Sequence, residues 1–385
     1  MRFTCTILFL AWTVALVVDD ALALDEEHVE RWGEDIRYYR ETLRDRHIDL
    51  YHSVSQARFD GELAALIQQL PSLSEHQVIF ELMRITRLVN DGHTQFPIMA
   101  GPHTHYPLRF RLFGDEVRVV AAADAYRGLV GGRVVAIEGQ PILAVLEILS
   151  PVVQAVENEF SLQSSLAFHL TVDDMLYAAG ITQTIGAAQF TYETAAGDVL
   201  STTVASVSMS DFVEQTRHRA GPRRGFGQRS LEHSDGLWLA TDKRASTAYL
   251  YFSSYPSFDE MLDFAHRVRE RLETHGIRNI IIDLRDNGGG DFYTGLALSH
   301  PILMTESIDW LNGVYVLIGR DTFSAAMSNA VQYRQILNAT LVGEPTGANP
   351  VGYQELGSFR LPHSGRTVFY SERRYRFQDT ETFGV

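Results

Sequence analysis

The chain reads as an α/β protein with a helical N-terminal region, and three observations lead there. Two runs in its last third, "NIIIDL" (279–284) and "VYVLI" (314–318), are continuously apolar and rich in β-branched residues, as strands covered on both faces are. Segments of helical periodicity alternate with them, the order that builds a parallel sheet with helices packed on it. Ahead of residue 90, by contrast, apolar residues recur at helical spacing among charges.

In chain order, Arg2 precedes an apolar run from Ile7 to Val18 that closes on Ala21-Leu22-Ala23, the pattern of a secretory signal peptide over residues 1–23. Asp19 and Asp20 end the run short of the roughly 20 apolar residues a membrane span needs. An exported protein, periplasmic or secreted, with no membrane anchor after cleavage is therefore expected. Cys5, the only cysteine, falls inside this leader, which excludes cysteine nucleophiles, disulfides and cysteine-ligated metals from the mature chain. A formal net charge of −15 without basic runs argues against a nucleic-acid partner.

Residues 24–105 read as the helical region. Val29, Trp32, Ile36 and Leu43 mark one amphipathic helix, and a second follows from Phe59 to Leu70. A third starts on a capping box, Ser74 with Gln77, carries the stripe Val78, Leu82, Ile85 and Val89, and stops at "NDGHT", where Asn90 and Gly92 tolerate a left-handed turn. From 106 to 220 the pattern is that of a mixed β domain ("LRFRLF", "EVRVVAA"). Within it "YRGLVGGRVVAIEGQPILAVLEIL" gives a glycine loop, a strand, a turn and a helix, an arrangement that resembles the PDZ module and equally fits an ordinary small β domain. A linker is expected over 221–240, beginning with "GPRRGFGQRS". The core, 241–385, holds the strand "TAYLYFS", a helix capped by Ser257 and Glu260 and ended by Gly276, and the two buried strands.

A serine hydroxyl is a weak nucleophile that needs a base in reach and donors aimed at the developing oxyanion. Ser324, in "GRDTFSAAMSNA", sits where the strand "VYVLI" turns into a helix, and is either an N-cap or a nucleophile on the positive end of a helix dipole. "DLRDNGGG" (283–290) ends the other buried strand with three glycines, at the sheet edge where α/β folds place ligands. His93, just past the third helix, is either a polar cap or a base that works near neutral pH. His103 and His105 alternate on a strand, but two histidines alone make no metal site, and neither a metal nor another cofactor is expected.

"IIIDLRDNGGG", "VYVLIGRDTFSAAMSNA" and "LVGEPTGANPVGYQELGSFRLPHSG", in that order and spacing, resemble the C-terminal-processing (tail-specific) serine peptidases, in their tricorn-like and interphotoreceptor-retinoid-binding-like branch. The resemblance is strong over about residues 245–377 and extends to "LVNDGHTQF". It implies a crotonase/Clp-protease-like core of ββα units, a peptide or protein substrate, and Ser324 as nucleophile. One branch pairs that serine with a lysine, but Asn349 stands at the corresponding position, and Lys243, the chain's only lysine, is in an exposed-looking turn. The other branch implies His93 as general base. Glu355, close behind the matched "GEPTG" block, is the candidate to orient it, with the backbone N–H groups of Gly288, Gly289 and Ala325 as oxyanion donors. The expected activity is that of a serine endopeptidase working through an acyl-enzyme. A non-catalytic member binding peptides or apolar ligands in the same cleft is the alternative.

Overall fold

The computed structural model describes residues 23–216, 229–242, 244, 246–379 and 384–385. The expected signal peptide up to residue 22, positions 221–228 of the expected linker, and Lys243 lie outside the described residues.

Three helices open the described chain, Glu26–Arg46, Gln56–Gln69 and Glu75–Arg87. Each starts where a side-chain oxygen accepts an otherwise orphaned helix N–H, from Asp25, Ser55 and Ser74. Ser74 forms the expected capping box, its own N–H bonded to Gln77 Oε1 at 2.9 Å. Trp32, Ile36, Tyr39 and Leu43 share one core with Val78, Leu82 and Ile85. The buried hydroxyl of Tyr39 meets Thr86 Oγ1 at 2.7 Å.

An antiparallel sheet follows, with strands in the order Leu108–Phe113, Glu116–Ala122, Arg133–Ile137, Ala187–Glu193 and Val199–Ala205. Helices Ile142–Leu149, Glu159–His169 and Asp173–Ala178 fall between its third and fourth members. Its inward residues, among them Leu108, Phe110, Val119 and Phe190, belong to the same core as the N-terminal helices. One core thus spans the boundary drawn at residue 105.

The second sheet has the order Thr340–Gly343, Val314–Ile318, Asn279–Asp283, Thr247–Phe252, Leu237–Asp242 and Arg229–Ser234. The first four strands are mutually parallel and the last two are added antiparallel. Ile280, Ile282 and Val316 pack with Phe264, Leu298 and Tyr333 of helices Phe258–His275, Phe292–Leu303 and Ala325–Ile336. On the opposite face Ile281 and Leu317 lie against Trp238, Ala240 and Tyr249. Apolar cover on both sides explains why these strands are continuously apolar in sequence. The linker expectation is corrected here. Residues 229–234 and 237–242 are strands, held because Leu237, Trp238, Leu239 and Ala240 are all buried against this sheet.

A hairpin, Val351–Arg360 with Thr367–Arg376, leaves the second sheet and returns to the N-terminal lobe. Phe359, Leu361, Val368 and Tyr370 enter the helical core. Phe369 and Gln95 exchange two backbone hydrogen bonds, at 2.9 and 3.0 Å. The stretch carrying His93 is thereby fastened between the helices and the far end of the chain. Among the described residues no helix is long and apolar enough to cross a membrane.

Candidate active site

At the end of strand Val314–Ile318 the chain makes a tight connection before helix Ala325–Ile336. Thr322 ties this connection down, its Oγ1 accepting from the Gly319 N–H (3.0 Å) and donating to the Leu284 carbonyl (2.9 Å). Ser324 follows at φ 50°, ψ −128°, a backbone state that costs a non-glycine residue on the order of 1–3 kcal/mol. It occupies the N-cap position, yet its side chain makes no capping bond. Ala325, Ala326, Ser328 and Ala330 are buried, so their small side chains let the helix lie close on the sheet. The backbone strain aims Ser324 Oγ away from the helix and toward the N-terminal lobe.

His93 meets it there, Nε2 lying 2.9 Å from Ser324 Oγ. Asn90 takes the left-handed turn expected of it, at φ 59°. Gly92 does not have a positive φ, and its missing side chain serves close packing instead. A Cβ at Gly92 would sit 2.7 Å from Glu157 Cγ and 2.8 Å from the Phe323 ring. Phe323 stacks on the imidazole at 5.2 Å between centroids.

The loop is anchored by Asp91. Its carboxylate accepts from the backbone N–H groups of His93 (2.8 Å) and Thr94 (3.0 Å), and from the hydroxyls of Thr94 (2.7 Å) and Ser371 (2.8 Å). His47 completes the set: its Nδ1 accepts from the Asp49 N–H, so its Nε2 carries the proton and donates to Asp91 at 2.9 Å. Burial works against the Asp91 charge, but the bonds from His47, Thr94 and Ser371 hold its carboxyl below the ordinary range.

The group facing His93 Nδ1 is Glu157. Its Oε1 lies 3.1 Å from that nitrogen, with the two side chains only 2% and 5% exposed. The contact is an ion-pair approach and not a well-aligned hydrogen bond, since neither atom meets hydrogen-bond geometry with any partner. Burial opposes protonation of His93, but the adjoining Glu157 carboxylate outweighs it, with Asp91 and the Tyr353 backbone adding to the effect, and the imidazole is more basic than usual.

Glu355, the expected orienting group, is elsewhere. It sits exposed at a positive-φ position (67°) of strand Val351–Arg360, where its carboxylate accepts from Tyr375 Oη at 2.5 Å. Its nearness in sequence to "GEPTG" does not carry it to the imidazole, because its side chain is on the solvent-exposed side of the hairpin. Glu157 comes instead from the irregular segment before helix Glu159–His169, where nothing in the sequence marks it apart from other surface carboxylates.

The oxyanion donors also need one correction. Gly289 has φ 104°, and a Cβ there would lie 2.7 Å from Ser324 Cβ, so glycine is required for the approach. Its N–H, however, donates to Asn287 Oδ1 at 3.0 Å. Asn287 is buried and also ties the glycine loop to the serine loop, its carbonyl accepting from the Phe323 N–H at 3.1 Å. Among the described residues no hydrogen bond takes up the N–H of Gly288 or of Ala325, so of the three expected donors these two are not engaged elsewhere. A cleft of about 630 Å³ opens beside Gly288 and Phe323, walled by Phe110, Leu112, Phe168 and Phe212.

No family model and no curated protein matches the chain. Solved structures do. CPAF complexed with lactacystin superposes with a TM-score of 0.62 at 13% identity, covering 94% of this chain and 93% of that one. A CPAF mutant gives 0.66 at 12% identity, covering 94% and 92%. The photosystem II D1 C-terminal processing protease gives 0.42 at 14% identity, covering 94% and 92%. Over nearly its whole length the chain therefore has the fold of CPAF, a mixed α/β core with N-terminal helices, as the resemblance to the tail-specific peptidases implies.

Proposed function

We propose that the chain is an exported serine peptidase of the tail-specific family, hydrolysing peptide bonds through an acyl-enzyme. The observation that carries this reading is the 2.9 Å contact between His93 Nε2 and Ser324 Oγ. It is made by a serine held in a strained turn that no capping role requires.

For Ser324 Oγ to donate, His93 Nε2 must be unprotonated, which puts the imidazole proton on Nδ1, facing Glu157. Ser324 Oγ then attacks the peptide carbonyl carbon while its proton passes to His93 Nε2. The carbonyl oxygen becomes an oxyanion within reach of the Gly288 and Ala325 N–H groups. Collapse of the tetrahedral intermediate breaks the C–N bond, and His93 gives the proton to the leaving amine. A water deprotonated by the same nitrogen then cleaves the ester. Glu157 stabilises the imidazolium that forms twice in each cycle. Asn349 has no basic nitrogen, which is consistent with histidine as the base.

The test is hydrolysis of a mixture of internally quenched peptides by the mature chain, with Ser324→Ala as control. Cleavage that disappears in Ser324→Ala, with an ester-linked intermediate trapped on Ser324 at low pH, supports the reading. Peptide binding without turnover in the unmodified chain would favour the non-catalytic alternative.

A further inference from the structure

Glu157 and His93 both come from the N-terminal lobe, and what fixes the carboxylate comes from across the interface. Asn349 lies on the connection between strands Thr340–Gly343 and Val351–Arg360. Its backbone N–H donates to Glu157 Oε2 at 2.7 Å, and its side-chain Nδ2 donates to the Glu157 carbonyl at 3.1 Å. Its Oδ1 accepts from Asn158 Nδ2 at 2.9 Å and from the Gly384 N–H at 3.2 Å. Asn158 is itself locked, because its Oδ1 caps helix Glu159–His169 by accepting from the Phe160 and Ser161 N–H groups. With Oε2 held by Asn349, the other oxygen, Oε1, is the one left facing His93 Nδ1.

We propose that Asn349 is a positioning residue that, interlocked with Asn158, holds Glu157 against His93 and so completes the site only when the two lobes are docked. The proposal rests on the catalytic reading above. An asparagine suits the task chemically. Its backbone N–H holds the carboxylate while its side chain fixes that backbone against the Glu157 carbonyl and Asn158, and these neutral contacts leave the negative charge for the imidazolium, whereas a cationic side chain in its place would pair with Glu157 and compete for it. Glu157 and Asp91, the latter paired with His47, are the carboxylates that act on His93 among the described residues. Asp91 reaches the His93 backbone, and Glu157 reaches the ring.

The experiment is a double-mutant cycle on the full mature chain with Asn349→Ala, Glu157→Gln and the pair, read as kcat/KM against pH with thermal midpoints recorded alongside. Asn158→Ser gives a second route, since serine keeps the helix cap but has no amide to reach Asn349. Asn349→Ala is expected to lower kcat/KM about tenfold or more and to move the acid limb to lower pH. It should add little once Glu157 is already glutamine, because residues acting through one another are not additive. Asn158→Ser should move both readouts the same way, and it carries the test if Asn349→Ala does not fold. A loss that multiplies independently with Glu157→Gln, a plateau that drops without any movement of the limb, or no change in either variant overturns the proposal and leaves the catalytic reading standing. Absence of Ser324-dependent turnover in the unmodified chain removes both.

Discussion

His93 Nε2 and Ser324 Oγ lie 2.9 Å apart although 231 positions separate them in the chain. His93 belongs to a lobe built from the first three helices and the returning hairpin, Ser324 to the connection at the end of the parallel sheet. Their meeting depends on how Asp91, Ser371 and Phe369 fasten the "DGHT" loop.

If the two act as one unit, their losses do not multiply. Ser324→Ala and His93→Ala should each lower kcat by about 10⁴-fold or more, and the double variant should be no worse than the poorer single one. Single-turnover kinetics on a cleaved peptide check this.

Glu157 and Glu355 should separate cleanly. Glu157→Gln is expected to cost about 10²- to 10⁴-fold in kcat/KM, the range for disabling a positioned acid–base group. Glu355→Gln, a change at an exposed strand position, should stay within about twofold, as surface substitutions away from a site usually do. Only the neutral imidazole accepts the serine proton, so activity falls as pH drops through the His93 pKa. That pKa is raised, which sets the acid limb above the ordinary histidine value near 6.5. Glu157→Gln removes the chief raising influence and should shift the limb downward. A pH series on both variants reads this directly.

Gly92→Ala and Gly289→Ala fail for different reasons. At Gly92 the backbone tolerates alanine, but the added methyl displaces Glu157 and Phe323, so activity should fall further than stability. At Gly289, φ 104° is itself unfavourable for alanine and the methyl strikes Ser324 Cβ, so thermal stability and activity should fall together. Melting curves paired with turnover on the two variants distinguish the cases.

Stability should weaken in acid. Burial, with the neighbouring His103 next in weight, pushes His105 down to about 4. Burial likewise pushes His169 to about 4. Both fold as neutral rings, so between pH 6.5 and 4 the unfolded chain binds more protons than the folded one. Their stabilising effect is whole above pH 6.5 and is lost as pH falls toward 4. The melting temperature should drop across that window, and His169→Gln, which has no proton to gain, should flatten the drop. Separately, Asp91→Ala strips the acceptor from the His93 and Thr94 N–H groups, the Thr94 and Ser371 hydroxyls and His47 Nε2–H, and should cost several kcal/mol at neutral pH, at about 1–3 kcal/mol for each donor left unsatisfied, measured by denaturant unfolding.

What could be read from the sequence was whatever obeys local rules. The capping boxes at Ser74 and Ser257, the helix stop at Gly276 and the doubly buried strands follow from residue chemistry over a few positions. Ser324 and His93, at a strand end and a helix end, read from position alone as either caps or catalytic groups, and it was the resemblance to the tail-specific peptidases that implied the catalytic roles. Glu157 did not, since its only distinction is a long-range neighbour that no local pattern encodes. Asn287 was equally silent, although it takes the Gly289 N–H that a count of glycines would offer to the oxyanion. The strand Leu237–Asp242 was obscured by the glycine- and arginine-rich stretch before it, which suggested a linker longer than the residues allow.

The measurement that bears most directly on the Ser324–His93 pair is the rate of covalent labelling by a fluorophosphonate, with the modified residue located by peptide mapping. The expected result is stoichiometric labelling of Ser324 in the unmodified chain, with a rate that follows the His93 acid limb and collapses in a folded His93→Ala variant. Labelling of Ser324 at an undiminished rate without His93, or no labelling at all in the folded chain, would contradict it.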